Sequence, residues 1–351
     1  MHLISSKGEH LSILRKNTSC PHFSVEISRN INFLKDIKSL VDLYFIFKLN
    51  KYDIVHSSTP KAGLLTAVSA FLARVPVRIH TFTGQRWATK KGLFKKLLMF
   101  IDKIICQLNT DLFADSQSQI DFLVKNKIVQ KDKIKVIHYG SFGGVDFEKF
   151  NSNKELNNQE GVASNLKLNN NSLVLIFVGR INRDKGIVEL ILAFHSLSQK
   201  NYNVDLIIVG SMEDRLDPLP ENIKALMKND VRIHCTGYSA IPQKYLAIAD
   251  IFCLPSYREG FGTSVIEAAS MGLPAICTKI PGLIDAVVDG ETGILIKKGS
   301  QNELESAIIT FIDNPEMLCT MGEKAKSRAI NCFQYEPIAN KLIQEYRSLL
   351  K

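Results

Sequence analysis

The chain contains a single tryptophan and no long apolar run, and its cysteines follow no metal-binding or redox spacing. The longest hydrophobic segment, 62–73, is interrupted by Thr66 and Ser69 and falls short of the ~18 residues of a membrane-spanning helix. The first residues, through Lys7, lack the basic start and apolar centre of a secretory signal, so a cytoplasmic protein is expected. The seven cysteines are odd in number and never form Cys-x-x-Cys, which argues against zinc and a disulfide framework. Cys235, Cys253 and Cys277 fall in apolar strand patterns and are expected to be buried thiols. No Gly-x-Gly-x-x-Gly follows an early strand, which disfavours hydride-transfer enzymes built on that turn.

What is present is an alternation of strand and helix patterns along the whole chain, the signature of an α/β fold with parallel sheets. Strands are predicted at 1–5, 23–27, 54–57, 77–81, 112–114 and 135–137, and again at 173–178, 206–209, 232–234, 251–254, 275–277 and 293–296. An asparagine-rich stretch separates the two sets, so the expected organisation is a domain over 1–150, a linker over 151–171 and a second domain over 172–336. At 351 residues the chain is long enough for two separate cores.

Two stretches of the second half carry chemistry. In the first, Glu259-Gly260-Phe261-Gly262 follows a strand and leads into a helix containing Glu267. This places two carboxylates at the carboxyl ends of parallel strands, where α/β proteins bind ligands. Ser264-x-x-Glu267 also fits a capping box, in which the glutamate would satisfy only a backbone donor. In the second, Gly179 ends a strand and Arg180, Arg183 and Lys185 crowd the start of the next helix. Cations are disfavoured there by the macrodipole, and an anion held between Arg180 and Lys185 would relieve the conflict. Solvated surface cations are the alternative, favoured for Arg183.

Together with Ala268-Ala269-Ser270-Met271-Gly272-Leu273-Pro274 and Asp289-Gly290-Glu291-Thr292-Gly293, these stretches resemble the retaining GT-B glycosyltransferases of family 4. In the first half, 56–63 and 78–85 resemble the branch that builds capsule and O-antigen repeats. The resemblance implies two Rossmann-like domains facing a cleft, with the last segment, 337–351, crossing back to the first domain. It also implies a nucleotide sugar, expected to be UDP-linked, and a lipid-diphosphate-linked saccharide acceptor. The donor would lie against Gly179, Arg180, Lys185, Glu259, Gly260, Phe261, Gly262 and Glu267. Arg180 and Lys185 would hold the diphosphate, Glu267 the ribose and Glu259 the transferred sugar; His80 would reach that sugar from the first domain. The catalytic set is thus His80, Arg180, Lys185 and Glu259. Asp-x-Asp does not occur, so no metal and no other cofactor is expected. The resemblance further implies a first strand and helix before the point where this sequence opens; either the true start lies upstream, or the chain is a truncated, non-catalytic, nucleotide-sugar-binding or partner-binding relative, which is one alternative. A GT-B nucleotide-sugar epimerase is another.

Charge is divided unevenly. Residues 1–150 hold 23 Lys and Arg against 12 Asp and Glu, a net of +11, whereas 151–351 hold 21 against 23, a net of −2. The excess concentrates in 86–100, where Arg86, Trp87, Lys90, Lys91, Lys95 and Lys96 interleave with apolar residues. Such a segment suits the anionic inner face of a membrane, each lysine contributing roughly 1 kcal/mol. No nucleic-acid motif accompanies it, so nucleic acid is not an expected partner. A packed helix with a solvated lysine edge is the alternative.

Overall fold

Parallel strands organise the computed structural model, which describes residues 1–8, 18, 20–28, 32–151, 159–169, 171–214 and 217–350. The strands are β1 Leu3–Ser5, β2 His22–Ser24, β3 Ile54–Ser57, β4 Val77–Phe82, β5 Asp111–Ala114, β6 Ile134–Val136, β7 Leu173–Val178, β8 Val204–Val209, β9 Ile233–Gly237, β10 Ile251–Leu254, β11 Ala275–Thr278 and β12 Gly293–Ile296. Every predicted strand is present, with ends displaced by at most a few residues. The helices are α1 Phe33–Asn50, α2 Pro60–Leu72, α3 Gly92–Leu108, α4 Gln117–Lys125, α5 Gln159–Leu166, α6 Ile187–Gln199, α7 Glu221–Asn229, α8 Gln243–Leu246, α9 Thr263–Ser270, α10 Leu283–Ala286, α11 Gln301–Asp313, α12 Pro315–Cys332 and α13 Tyr335–Leu349.

The chain forms two compact units. One comprises Met1–Ala114, Ile120–Lys135 and Ile343–Lys351, the other Asp115–Gln119 and Val136–Leu342. Residues 136–150, expected in the first domain, thus belong to the second unit, because Val145 and Phe150 are buried in its core. Of the expected linker, 152–158 and 170 lie outside the described residues, and its described part carries α5. The expected C-terminal helix begins at Tyr335; its residues from Ile343 onward belong to the first unit.

The first unit holds a four-stranded sheet ordered β3-β4-β5-β6 and a two-stranded parallel sheet of β1 and β2. Helix α1 starts at Asn32, whose side chain accepts the Lys35 N–H at 3.1 Å. It packs on α2, and α2 packs on α3.

The second unit holds a six-stranded sheet ordered β12-β11-β10-β7-β8-β9. Strands β8, β10 and β11 are buried at every position, as apolar runs covered on both faces require. Cys253 and Cys277 lie in this core, but Cys235 is exposed, because β9 is an edge strand with one side turned to solvent. Strand order reverses between β7 and β10, which pair directly, Ile251 opposite Leu175 and Phe252 opposite Ile176. The chain leaves β7 toward β8 on one side and β10 toward β11 on the other, so the two following loops open a crevice at their carboxyl ends.

Candidate active site

The loops after β7 and β10 are the two stretches singled out in the sequence, and the switch point brings them together. After β7, Asn182 turns its side chain to accept the Lys185 N–H at 3.1 Å, shaping a short 3-10 turn over Arg183–Lys185. Gly186 closes that turn at φ 73°. A Cβ there would sit 2.0 Å from the Pro255 carbonyl oxygen, so only glycine lets the two loops approach this closely.

Four contacts join the loops. The Asp184 carbonyl accepts the Tyr257 N–H at 2.8 Å and the Ser256 hydroxyl at 3.1 Å. Arg258 Nε lies 2.9 Å from Asp184 Oδ2, and Lys185 Nζ pairs with Glu259 Oε1. The Lys185 and Glu259 side chains are only 19% and 11% exposed, so this pair is held largely out of water. Arg180 Nη1 meets Glu213 Oε2 at 2.6 Å, and the same oxygen accepts Asn182 Nδ2 at 2.8 Å. The crowding of cations expected to require an external anion is therefore balanced by Glu213 and Glu259 from the chain itself. Arg183 is exposed, in line with a solvated side chain.

Glu259 and Gly260 are fixed from behind by the 115–119 segment. Gln119 Nε2 donates to the Glu259 carbonyl at 2.5 Å and the Ser116 hydroxyl to the Gly260 carbonyl at 3.1 Å. Phe261 is buried edge-on against Phe333, with ring centroids 5.1 Å apart. None of Asn182, Asp184, Glu213, Ser116 or Gln119 was legible as a site residue, because each has a partner on a segment distant in sequence.

Glu267 sits in the second turn of α9. The capping box does not form: the N-cap is Gly262, in the left-handed region at φ 91°, and Ser264 lies inside the helix with no side-chain cap. Among the described residues the Glu267 carboxylate has no hydrogen-bond partner. Burial pushes its pKa up to about 7, opposed by the positive charge of Lys149. This half-buried carboxyl beside the switch point thus keeps hydrogen-bonding capacity that no described residue uses.

In the first unit, His80 is buried in β4, with Nδ1 2.9 Å from the Ser57 hydroxyl and the ring edge-on to Phe82. Burial, with a lesser contribution from His56, lowers its pKa to about 3, so the imidazole is neutral. A Cβ on Gly63 would fall 2.4 Å from the ring, so glycine at the start of α2 makes the histidine's room. His56 bridges Thr81 Oγ1 at 2.7 Å and the Tyr346 hydroxyl at 2.6 Å, tying the end of α13 to β3 and β4.

The basic segment departs from expectation. Trp87 faces inward rather than toward a bilayer: it is 1% exposed, stacks on Phe122 and donates its indole N–H to Asp102 Oδ2 at 2.7 Å. Lys95 is half-buried with its ammonium over the Trp87 ring. Arg86, Lys90, Lys91 and Lys96 are exposed. Among the described residues no helix is long and apolar enough to cross a membrane.

Two Rossmann-like α/β units, one with basic and acidic side chains gathered at a switch point, define the architecture of a GT-B transferase. Family models match both halves: "Glycosyltransferase Family 4" over residues 2–141 and "Glycosyl transferases group 1" over 158–328. The chain is 33% identical to the capsular polysaccharide biosynthesis glycosyltransferase CapM of Staphylococcus aureus over 351 residues, spanning 100% of this chain and 90% of that protein. It is 30% identical over 327 residues to the UDP-Gal:alpha-D-GlcNAc-diphosphoundecaprenol alpha-1,3-galactosyltransferase of Escherichia coli, spanning 92% of this chain and 82% of that one. In fold it matches the crystal structure of Anabaena Alr3699/HepE in complex with UDP and glucose, with TM-score 0.80, 20% identity and coverage of 99% and 91%. The chain belongs to the family 4 glycosyltransferases of GT-B fold.

Proposed function

We propose that this glycosyltransferase moves a hexose or N-acetylhexosamine from a UDP-sugar to a lipid-diphosphate-linked saccharide, with retention of configuration, in cell-surface polysaccharide assembly. The CapM and galactosyltransferase relatives support the class of acceptor and pathway, and the names of the galactosyltransferase and of the Anabaena complex support uridine as the base. The observation that carries the site assignment is the Lys185 to Glu259 pair at the β7/β10 switch point, flanked by the unpartnered Glu267.

In this reaction the bond between the anomeric carbon and the β-phosphate oxygen breaks, and a bond to the acceptor oxygen forms on the same face. The acceptor proton passes to the departing diphosphate. Lys185 and Arg180 stabilise the charge growing on that leaving group, and the N–H groups at Gly260, Phe261 and Gly262 add donors. Glu267 accepts from the ribose hydroxyls and Glu259 from hydroxyls of the sugar. His80, neutral and fixed by Ser57, serves the transferred sugar as a hydrogen-bonding group rather than a cation. The two basic side chains take the electrostatic part that a divalent metal plays elsewhere, so turnover needs no metal. Arg86, Lys90, Lys91 and Lys96 hold the enzyme at the inner membrane surface, where the acceptor resides.

The test is the product of a purified reaction, its anomeric configuration read by proton NMR coupling with and without EDTA. Retention, with the rate unchanged by EDTA, supports the reading. Inversion, or loss of activity that manganese restores, removes it.

A further inference from the structure

Helix α1 has a surface that its place in a soluble unit does not explain. Every exposed position from Phe33 to Leu49 is either a large apolar residue or a lysine. Phe33, Leu34, Ile37, Val41, Phe45 and Leu49 are between 42% and 81% exposed. Phe33, Ile37, Val41, Phe45 and Leu49 recur every fourth residue and so form one stripe along the helix. Lys38 and Lys48 lie within the same outward arc, and the acids of the helix are withdrawn from it: Asp36 pairs with Lys61 at 2.6 Å and Asp42 is half-buried.

The stripe does not stand alone. The neighbouring α2 turns Leu64, Val68, Phe71 and Leu72 outward, half-buried or exposed. Beyond it, the exposed positions of α3 include Leu93, Phe94, Leu97 and Phe100 with Lys96 and Lys103, and no acid. Since α1 packs on α2 and α2 on α3, these surfaces belong to one helical layer.

We infer that α1 is a bilayer-docking helix, its Phe33 to Leu49 stripe seated among the acyl chains of an anionic membrane surface with Lys38 and Lys48 at the headgroups. Apolar residues interspersed with lysine and devoid of exposed acid are the composition that an anionic interface selects, because the stripe is desolvated while the ammonium groups reach the phosphates. A second copy of the chain fits less well: two such faces pressed together would oppose Lys38 and Lys48 with no exposed acid on the helix to pair them, and the exposed acid beside it, Glu26, is already paired with Lys35 at 2.9 Å. The inference rests on the membrane-bound acceptor proposed above for its choice of occupant, but extends contact to a helix and to apolar residues that the basic segment does not include.

The test uses the full chain without donor or acceptor, so failure of the transfer chemistry cannot affect it. Flotation is measured with vesicles of phosphatidylglycerol and phosphatidylcholine in equal parts. The triple variant Ile37→Ser, Val41→Ser, Phe45→Ser should partition at least roughly tenfold more weakly, given the apolar area removed, with circular dichroism unchanged because the residues are exposed. The variant Lys90→Ser, Lys91→Ser, Lys96→Ser tests the basic segment separately. Loss in the lysine variant but not in the triple variant overturns the inference and leaves the basic segment in place. Failure of the unaltered chain to float overturns both. A triple variant that floats normally but changes from dimer to monomer by light scattering assigns the face to a second copy instead. Should the triple variant misfold, Phe45→Trp decides: brominated acyl chains should quench its emission against the buried Trp87 background, and absence of quenching overturns the inference.

Discussion

Lys185 and Glu259, 74 positions apart in the chain, are ion-paired at the point where β7 and β10 lie side by side. Each closes a different loop, and the pair exists because the sheet reverses its strand order between them. In the proposed reaction Lys185 serves the diphosphate and Glu259 the sugar, and the ion pair holds these two side chains against each other at the switch point.

Replacing Lys185 with Ala should lower kcat by roughly a hundredfold or more, since groups aimed at developing charge contribute about 3 kcal/mol. Steady-state kinetics should show the loss mainly in kcat, with a smaller rise in KM. Full activity in the variant would remove Lys185 from the mechanism.

Glu267 gives a pH signature. Its pKa is raised from 4.5 to about 7, so the stability of the protonated form is fully present below 4.5 and lost as pH rises through 7. Nucleotide binding should run the opposite way, tightening from pH 6 to pH 8 as the carboxylate proposed to accept the ribose hydroxyls forms. Calorimetric titration of UDP should show that trend, and Glu267→Gln should flatten it while binding more weakly at pH 8.

Gly186→Ala should destabilise the protein by roughly 2–4 kcal/mol, because the new Cβ meets a backbone oxygen and the residue must hold a left-handed φ. Thermal unfolding should show a melting temperature lower by several degrees. An unchanged value would mean the two loops are not packed as described.

Trp87→Phe should separate structure from membrane binding. Asp102, raised by burial to about 6 and held down by the indole N–H, would shift further upward in the variant. The stability gap between the two proteins should therefore widen as pH rises from 5 to 8, because only the folded state carries the raised pKa. Vesicle flotation should be unchanged, since Trp87 is buried; reduced flotation would return it to the surface.

The strands were legible because parallel sheets write themselves as short apolar runs, and β3, β7, β10 and β12 have the predicted bounds. Arg180, Lys185, Glu259 and Glu267 were legible as types because their loops carry glycines at the ends of such runs. Their partners were not: nothing in the sequence links Arg180 to Glu213, Asp184 to Arg258 or Gln119 to the Glu259 carbonyl, since only the fold brings those segments together. Trp87 misled because an isolated aromatic among lysines has the composition of a membrane segment. Burial against Phe122 and Asp102 depends on α4 and on the far end of α3. The α1 stripe has the four-residue repeat of a core-facing helix; only the three-dimensional packing reveals that the repeat faces outward.

The most direct measurement is nucleotide release by the purified chain across a panel of UDP-sugars, with and without bacterial membranes containing lipid-linked saccharides. Release from a single UDP-sugar, dependent on those membranes and lost in Lys185→Ala, is the expected result. Release from no donor, or release indifferent to both the membranes and the Lys185 substitution, would contradict a lipid-linked transferase acting through this site.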